Sequence, residues 1–213
     1  MAEKARSLGT ILAGGRNRRY GSHKALAELG GTRIIDRVAN AVAVAASRVV
    51  VVANELDVYR DVGEEVRPDI QPGLGALGGI YSAVQWAAEV DCDVALTVAC
   101  DMPFVSAGLL ERLVEVADPG AAVLPASQGP RGLEPLCAVY GVGCLDAISA
   151  AIERGDRAVI SFFEDVDVRV LDTSEVARYG RAEHMFMNVN RQEDRLRAED
   201  ILASREERGE GSE

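Results

Sequence analysis

The sequence predicts an α/β fold: one domain with a mostly parallel central sheet, helices on both faces and a mixed C-terminal edge. Three observations carry this reading. Apolar, β-branched runs of strand length alternate with stretches of helical periodicity as far as Pro125, the pattern of an open parallel sheet. The run Val49-Val50-Val51-Val52 has no polar alternation, which suits a strand covered on both faces. Beyond about residue 130 the rhythm breaks into shorter, mixed segments, as expected of an edge that no longer repeats the crossover unit.

In chain order, residues 9–12 read as the first strand, followed by a glycine- and arginine-rich loop. Ile34, Ile35, Val38, Val42 and Ala45 form one helical stripe before the strand at 49–53. Leu77, Ile80, Val84 and Ala87 form a second stripe, before the strand at 94–99. Leu109, Leu110, Leu113 and Val116 form a third, before the strand at 121–125. The spacing then predicts a strand at 133–140, helices at 144–152 and 156–163, a strand at 166–171, a last strand at 185–189 and a closing helix at 191–201. These last elements are expected to supply a lid. Residues 1–203 form the domain, and the polar, charged run 204–213 is expected to be a disordered tail.

Composition narrows the function. The net charge of −11 argues against nonspecific binding to nucleic acid or to an anionic membrane. Cys92, Cys100, Cys137 and Cys144 show neither CxxC nor His-spaced ligand patterns, so they read as reduced thiols of a cytoplasmic protein rather than a zinc site. No signal peptide or long apolar run is visible. Against the overall sign, Arg16, Arg18, Arg19 and Lys24 place four cations within nine residues and no carboxylate among them. Lys24 stands out in a chain with 21 arginines and two lysines. A compact ammonium serves as a point charge toward phosphate, where a guanidinium is a planar fork.

Ligands of open α/β sheets bind at the carboxyl ends of the strands, and four segments fall there. The first is Leu12-Ala13-Gly14-Gly15-Arg16-Asn17-Arg18-Arg19-Tyr20-Gly21-Ser22-His23-Lys24. Its backbone N–H groups can cradle phosphate oxygens, although it is neither a Walker A loop nor a GxGxxG fingerprint. The second, Asn54, carries a donor and an acceptor that can read a base edge, or else caps a helix. The third, Arg67 to Gly79, holds Asp69 and a glycine-rich turn that includes Gly78; glycine permits close backbone approach to a flat ligand. The fourth is Ala99-Cys100-Asp101-Met102-Pro103, where Asp101 is either a Mg²⁺ ligand or the cap of the next helix.

With these segments in order, the chain resembles the molybdenum cofactor guanylyltransferases, the molybdopterin-guanine dinucleotide biosynthesis protein A family. The resemblance runs from about residue 8 to 200 and rests on LAGGRNRRYGSHK, Asn54, PGLGALGG, CDMPF, LEPLCAVY, GDRAVISFF and MFMNVNRQEDRLRAE. LAGG, with Gly15, favours the guanylyl over the cytidylyl and uridylyl branches. Tyr20, Asn17 and His23 depart from the family's usual Met, Ser and Asp.

The resemblance implies a Rossmann-like nucleotidyltransferase domain that transfers GMP from GTP to the terminal phosphate of molybdopterin and releases pyrophosphate. It implies that Leu12, Ala13, Gly14 and Gly15 line the GTP site, that Lys24 meets the phosphates with Arg19, and that Asn54, Asp69 and Gly78 contact the nucleotide. Asp101 would hold Mg²⁺, and Asn188 and Asn190 would close the acceptor side. It further implies contact with upstream and downstream proteins of molybdenum cofactor assembly, and with neither nucleic acid nor membrane. A related enzyme using CTP or another acceptor fits the same motifs. A non-enzymatic GTP-binding module fits less well, because Lys24 and Asp101 are both present.

Overall fold

A computed structural model describes residues 5–14, 24–127 and 132–207. Its main sheet is built from β1 (Ser7–Leu12), β4 (Arg48–Ala53), β5 (Glu65–Pro68), β6 (Val94–Ala99), β7 (Ala121–Pro125), β8 (Cys137–Gly141) and β9 (Asp167–Leu171), and a small hairpin from β2 (Glu28–Leu29) and β3 (Thr32–Arg33). The helices are α1 (Ile34–Ala45), α2 (Ala76–Glu89), α3 (Ala107–Glu115), α4 (Leu145–Glu153), α5 (Thr173–Val176), α6 (Ala182–Met185) and α7 (Gln192–Glu207). The strand order is β5-β4-β1-β6-β8-β7-β9. Strand β8 runs antiparallel to both β6 and β7, which makes the C-terminal edge mixed. Among the described residues no helix is long and apolar enough to cross a membrane.

The unbroken valine run works as the sequence implied. Val49, Val51 and Ala53 face one core with Ile11, Leu96, Val98, Val38, Val42, Leu109 and Leu113. Val50 and Val52 face the other with Leu8, Leu12, Leu77, Ile80 and Val84. Period-two alternation thus feeds both faces of a strand that is apolar throughout. Each fully buried Val, Leu or Ile contributes roughly 1.5–3 kcal/mol. A third cluster, with Leu29, Ile34, Phe104, Val189 and Ala198 buried, ties α7 to the β2–β3 hairpin.

Several elements differ from the sequence reading. Residues 185–189 are not a strand: Met185 ends α6 and packs in one core, while Val189 packs in another cluster. An apolar run split between two clusters has no single face to alternate on. Residues 156–163 are not a helix: 156–158 are irregular and 159–163 form successive turns, with Ser161 N–H donating to Ala158 O and Phe163 N–H to Ile160 O. Phe162 at their centre is buried against Tyr140, ring centres 5.9 Å apart. The strand expected at 133–140 begins only at Cys137, because Glu134–Cys137 closes a turn around Pro135. The last helix runs on to Glu207, past the expected start of the tail. Strand β5 carried no apolar alternation and was not foreseen; it is a short, partly exposed edge.

Gly9 shows how tightly α1 lies on β1. A Cβ built there collides with the Val42 side chain and comes within 3.1 Å of Ala46 Cβ. Gly9→Val should therefore destabilise the fold by about 1–3 kcal/mol through overpacking, read as a lower urea midpoint with an unchanged slope.

Candidate active site

Three parallel strands stop level with one another. Leu12 pairs with Val52 of β4 and with Ala99 of β6, so the residues after each strand line one crevice: Ala13 and Gly14, Asn54, and Cys100 and Asp101. The seam is stitched by backbone. Ala13 N–H donates to Val52 O at 2.9 Å, and Cys100 N–H donates to Leu12 O at 3.1 Å. The Tyr59 hydroxyl donates to Ala13 O at 3.3 Å, and its burial raises its pKa. The first turn of the glycine loop is thereby held before the loop itself begins.

On one side of the crevice Gly14, Asn54 and Asp69 converge. A Cβ on Gly14 would lie 3.3 Å from Asn54 Nδ2 and 3.9 Å from Asp69 Oδ2. The helical turn after Asn54 starts at Leu56, with no side-chain cap bond, so the capping alternative for Asn54 is not what the structure shows. Asp69 is fixed from behind. Its N–H donates to Ala53 O, and its Oδ1 accepts from Gln71 N–H at 3.0 Å and from Ser82 Oγ at 2.8 Å. Ser82 Oγ in turn accepts from Ile70 N–H at 2.8 Å.

The glycine-rich turn divides by role. Gly73 and Gly75 have φ of +89° and +64° with open space where a Cβ would stand, so backbone conformation selects them. Gly78 is selected by packing: a Cβ there would meet Gln71 O at 2.5 Å and Leu74 Cβ at 2.9 Å. The protein's own loop thus already occupies the space that glycine leaves at this position.

Asp101 is the electrostatic centre of the other side. Burial pushes its carboxyl above the usual range, and Asp194 adds to that; its own N–H, Lys24 and a hydrogen bond with the Asn190 side chain act against it. Lys24 Nζ donates to Asn190 Oδ1 at 3.5 Å. One amide therefore links the ammonium and the carboxylate. The segment that brings Asn190 is pinned: Val189 N–H donates to Asp101 O at 2.9 Å. Asp194 Oδ2 accepts from Asn190 N–H and Arg191 N–H at 2.9 and 2.8 Å, a carboxylate in the first turn of α7 reaching back to its start. Helix α3 begins after Ser106 with no side-chain cap bond, so Asp101 does not cap it.

The structure brings Leu12, Ala13, Gly14, Asn54, Asp69, Lys24, Asp101 and Asn190 to this edge. Asn188 is exposed. Gly15 and Arg19 lie outside the described residues. Three contributors were not singled out from sequence: Ser82, Asp194 and Glu134. Ser82 is a buried hydroxyl within an otherwise apolar helix stripe, and Asp194 stands four residues after Asn190; both signals were legible. Glu134 was hidden in an apparent strand. Burial raises its carboxyl, its bond from Leu136 N–H opposes this, and the Asp101 charge adds to it.

Residues 9–169 match the family model for the MobA-like NTP transferase domain. The chain belongs to this family. It is 35% identical over 190 residues to a probable molybdenum cofactor guanylyltransferase of Pelotomaculum thermopropionicum, covering 89% of this chain and 90% of that protein. It is 30% identical over 193 residues to the molybdenum cofactor guanylyltransferase of Desulfosudis oleivorans, covering 90% and 93%. The crystal structure of molybdopterin-guanine dinucleotide biosynthesis protein A from Archaeoglobus fulgidus superposes with a TM-score of 0.74 at 25% identity, covering 92% of this chain and 99% of that one. The mostly parallel sheet with its mixed edge is thus the nucleotidyltransferase fold, and the family is one of nucleotidyltransferase enzymes.

Ser82 offers a test of how the MobA-like crevice is held. Ser82→Ala removes the acceptor for Ile70 N–H and a donor to Asp69, and should cost about 1–3 kcal/mol of stability. Nucleotide affinity, measured by calorimetry, should fall with it because Asp69 loses its support.

Proposed function

We propose that this chain transfers GMP from GTP to the terminal phosphate of molybdopterin and releases pyrophosphate. The observation that carries the reading is the Lys24–Asn190–Asp101 link, set beside Gly14, Asn54 and Asp69 on one crevice. Relatives named as molybdenum cofactor guanylyltransferases support the base and the acceptor. In this reading an acceptor phosphate oxygen bonds to the α-phosphorus of GTP as the bond to the bridging oxygen breaks. A phosphate is already anionic, so the protein's task is alignment and charge cancellation rather than proton removal. Lys24 and Arg19 supply cations. Leu12, Ala13, Gly14 and Gly15 supply backbone to the phosphates, and Asn54 and Asp69 hold the nucleoside. Gly78 keeps the wall behind it compact, and Asn188 joins Asn190 on the acceptor side.

The Asp101 donor set fits Mg²⁺. That ion is commonly held by one or two carboxylates, with phosphates and waters completing its shell. Among the described residues no cluster of three or more acidic, His or Cys side chains makes a protein-only cage. A carboxylate whose charge burial disfavours gains from a cation arriving with the nucleotide. When bound, the ion would screen the triphosphate and the developing charge. The four cysteines are free thiols, in keeping with a reducing cytoplasm. There the chain would receive its acceptor from, and hand its product to, other proteins of molybdenum cofactor assembly.

GTP with Mg²⁺ should raise the melting temperature more than CTP, UTP or ATP with Mg²⁺. Ligand at 100 times its Kd adds about 2.7 kcal/mol, and a larger shift with CTP would move the assignment to a cytidylyl enzyme. Lys24→Ala should lower the transfer rate by about 10²–10³, with Lys24→Arg restoring only part of it. Asp101→Asn should abolish most transfer yet melt no lower than the wild type without ligand. A carboxyl whose pKa is raised in the fold weakens the fold when it ionises, and the substitution removes that charge. Near-normal turnover of Asp101→Asn at saturating GTP would remove Asp101 from the metal.

A further inference from the structure

Glu134 is a half-buried carboxylate on the Asp101 side of the crevice, and among the described residues no cation stands beside it. Its turn is fixed at four points: Glu134 N–H donates to Pro125 O, Cys137 N–H donates to Glu134 O, Tyr140 Oη donates to Pro135 O at 2.8 Å, and Leu136 N–H donates to Glu134 Oε1 at 3.3 Å. Burial raises its carboxyl most; among the described residues Leu136 N–H opposes this and Asp101 adds to it. A carboxylate withdrawn from water gains from a cation or from several hydrogen-bond donors. One that is preorganised and left beside a second acid points to a ligand.

Its place in the sheet says which ligand. Gly14, Asn54 and Asp69 follow β1, β4 and β5. Glu134 precedes β8, across β6 from them. The nucleotide half and Glu134 therefore flank Asp101 on opposite sides. A carboxylate there repels phosphate, so an anionic acceptor must turn its phosphate toward Lys24 and an uncharged, donor-rich part toward Glu134. The aminopyrimidinone edge of a pterin presents two adjacent donors, N3–H and the 2-amino group. Paired N–H donors meet a carboxylate as a guanidinium does. Since Leu136 N–H occupies one lone pair, both oxygens keep accepting capacity.

We propose that Glu134 recognises the aminopyrimidinone edge of the acceptor pterin and so determines acceptor specificity. This rests on the reading above that the acceptor is molybdopterin. Glu134→Gln keeps the shape and can still accept from Leu136 N–H, but it turns one acceptor into a donor that opposes the pterin. Equilibrium dialysis of wild type and Glu134→Gln with molybdopterin should show binding weakened about 10–100-fold. Binding of Mg²⁺-GTP and the melting temperature should stay as in the wild type. In the transfer assay the acceptor KM should rise while kcat is retained. 6-Hydroxymethylpterin should compete with molybdopterin on the wild type, and the matching lumazine, whose 2-amino group is replaced by oxygen, should not. Equal molybdopterin binding by Glu134→Gln overturns the role of Glu134 alone. So does an equal loss of GTP and molybdopterin binding, which marks a structural role. A wild type that binds Mg²⁺-GTP but not molybdopterin overturns the acceptor reading, and this proposal with it.

Discussion

A sheet buried on both faces can show polar groups only where its strands stop. In this chain β1, β4 and β6 end in register, and almost every residue along them is buried. The polar inventory of the domain's centre is therefore concentrated at one rim. Even the hydroxyls inside the sheet are consumed internally: Thr10 Oγ1 donates to Leu96 O at 3.0 Å and lies 3.1 Å from Thr97 Oγ1. Everything that follows, from the stitched start of the glycine loop to the placement of Asp101, depends on that common stopping line.

The rim is electrically divided. Asp69, beside Asn54, is held by uncharged donors, Gln71 N–H and Ser82 Oγ, and Ser82 Oγ in turn accepts from Ile70 N–H. Asp101, Glu134 and Asp194 crowd negative charge on the other side, and burial raises the first two. Lys24 reaches this side through Asn190. The use of lysine in an arginine-based chain gains meaning here, because a compact ammonium fits against one amide oxygen where a guanidinium is a larger planar fork.

Much of this was legible in the sequence. Periodicity located the main parallel strands and the first three helices, because strands and helices covered by apolar layers must repeat their pattern. Lys24, Asn54, Asp69 and Asp101 were visible as polar residues at strand ends. What escaped depended on contacts between distant segments. Residues 185–189 look like a strand, yet they straddle two clusters. Glu134 looks like a strand residue, yet it is turned into the crevice by a proline turn. Strand β5 is too exposed to carry an apolar signature. The link from Lys24 to Asn190 spans 166 residues, a separation at which local pattern says nothing.

The third cluster has a mechanical consequence. Leu202 of α7 fills the space over Gly30, and Arg205 lies over the Phe104 ring, 5.0 Å from its centre. The same helix begins at the carboxylate that secures Asn190. Helix α7 thus clasps the hairpin after Lys24 to the strand-end segment that follows Asp101. The hairpin after Lys24 and the last helix act as one lever on the charged centre. An altered side chain on the inner face of α7 would loosen the spacing between ammonium and carboxylate without touching either, so lesions in turnover can originate in packing behind the charged centre.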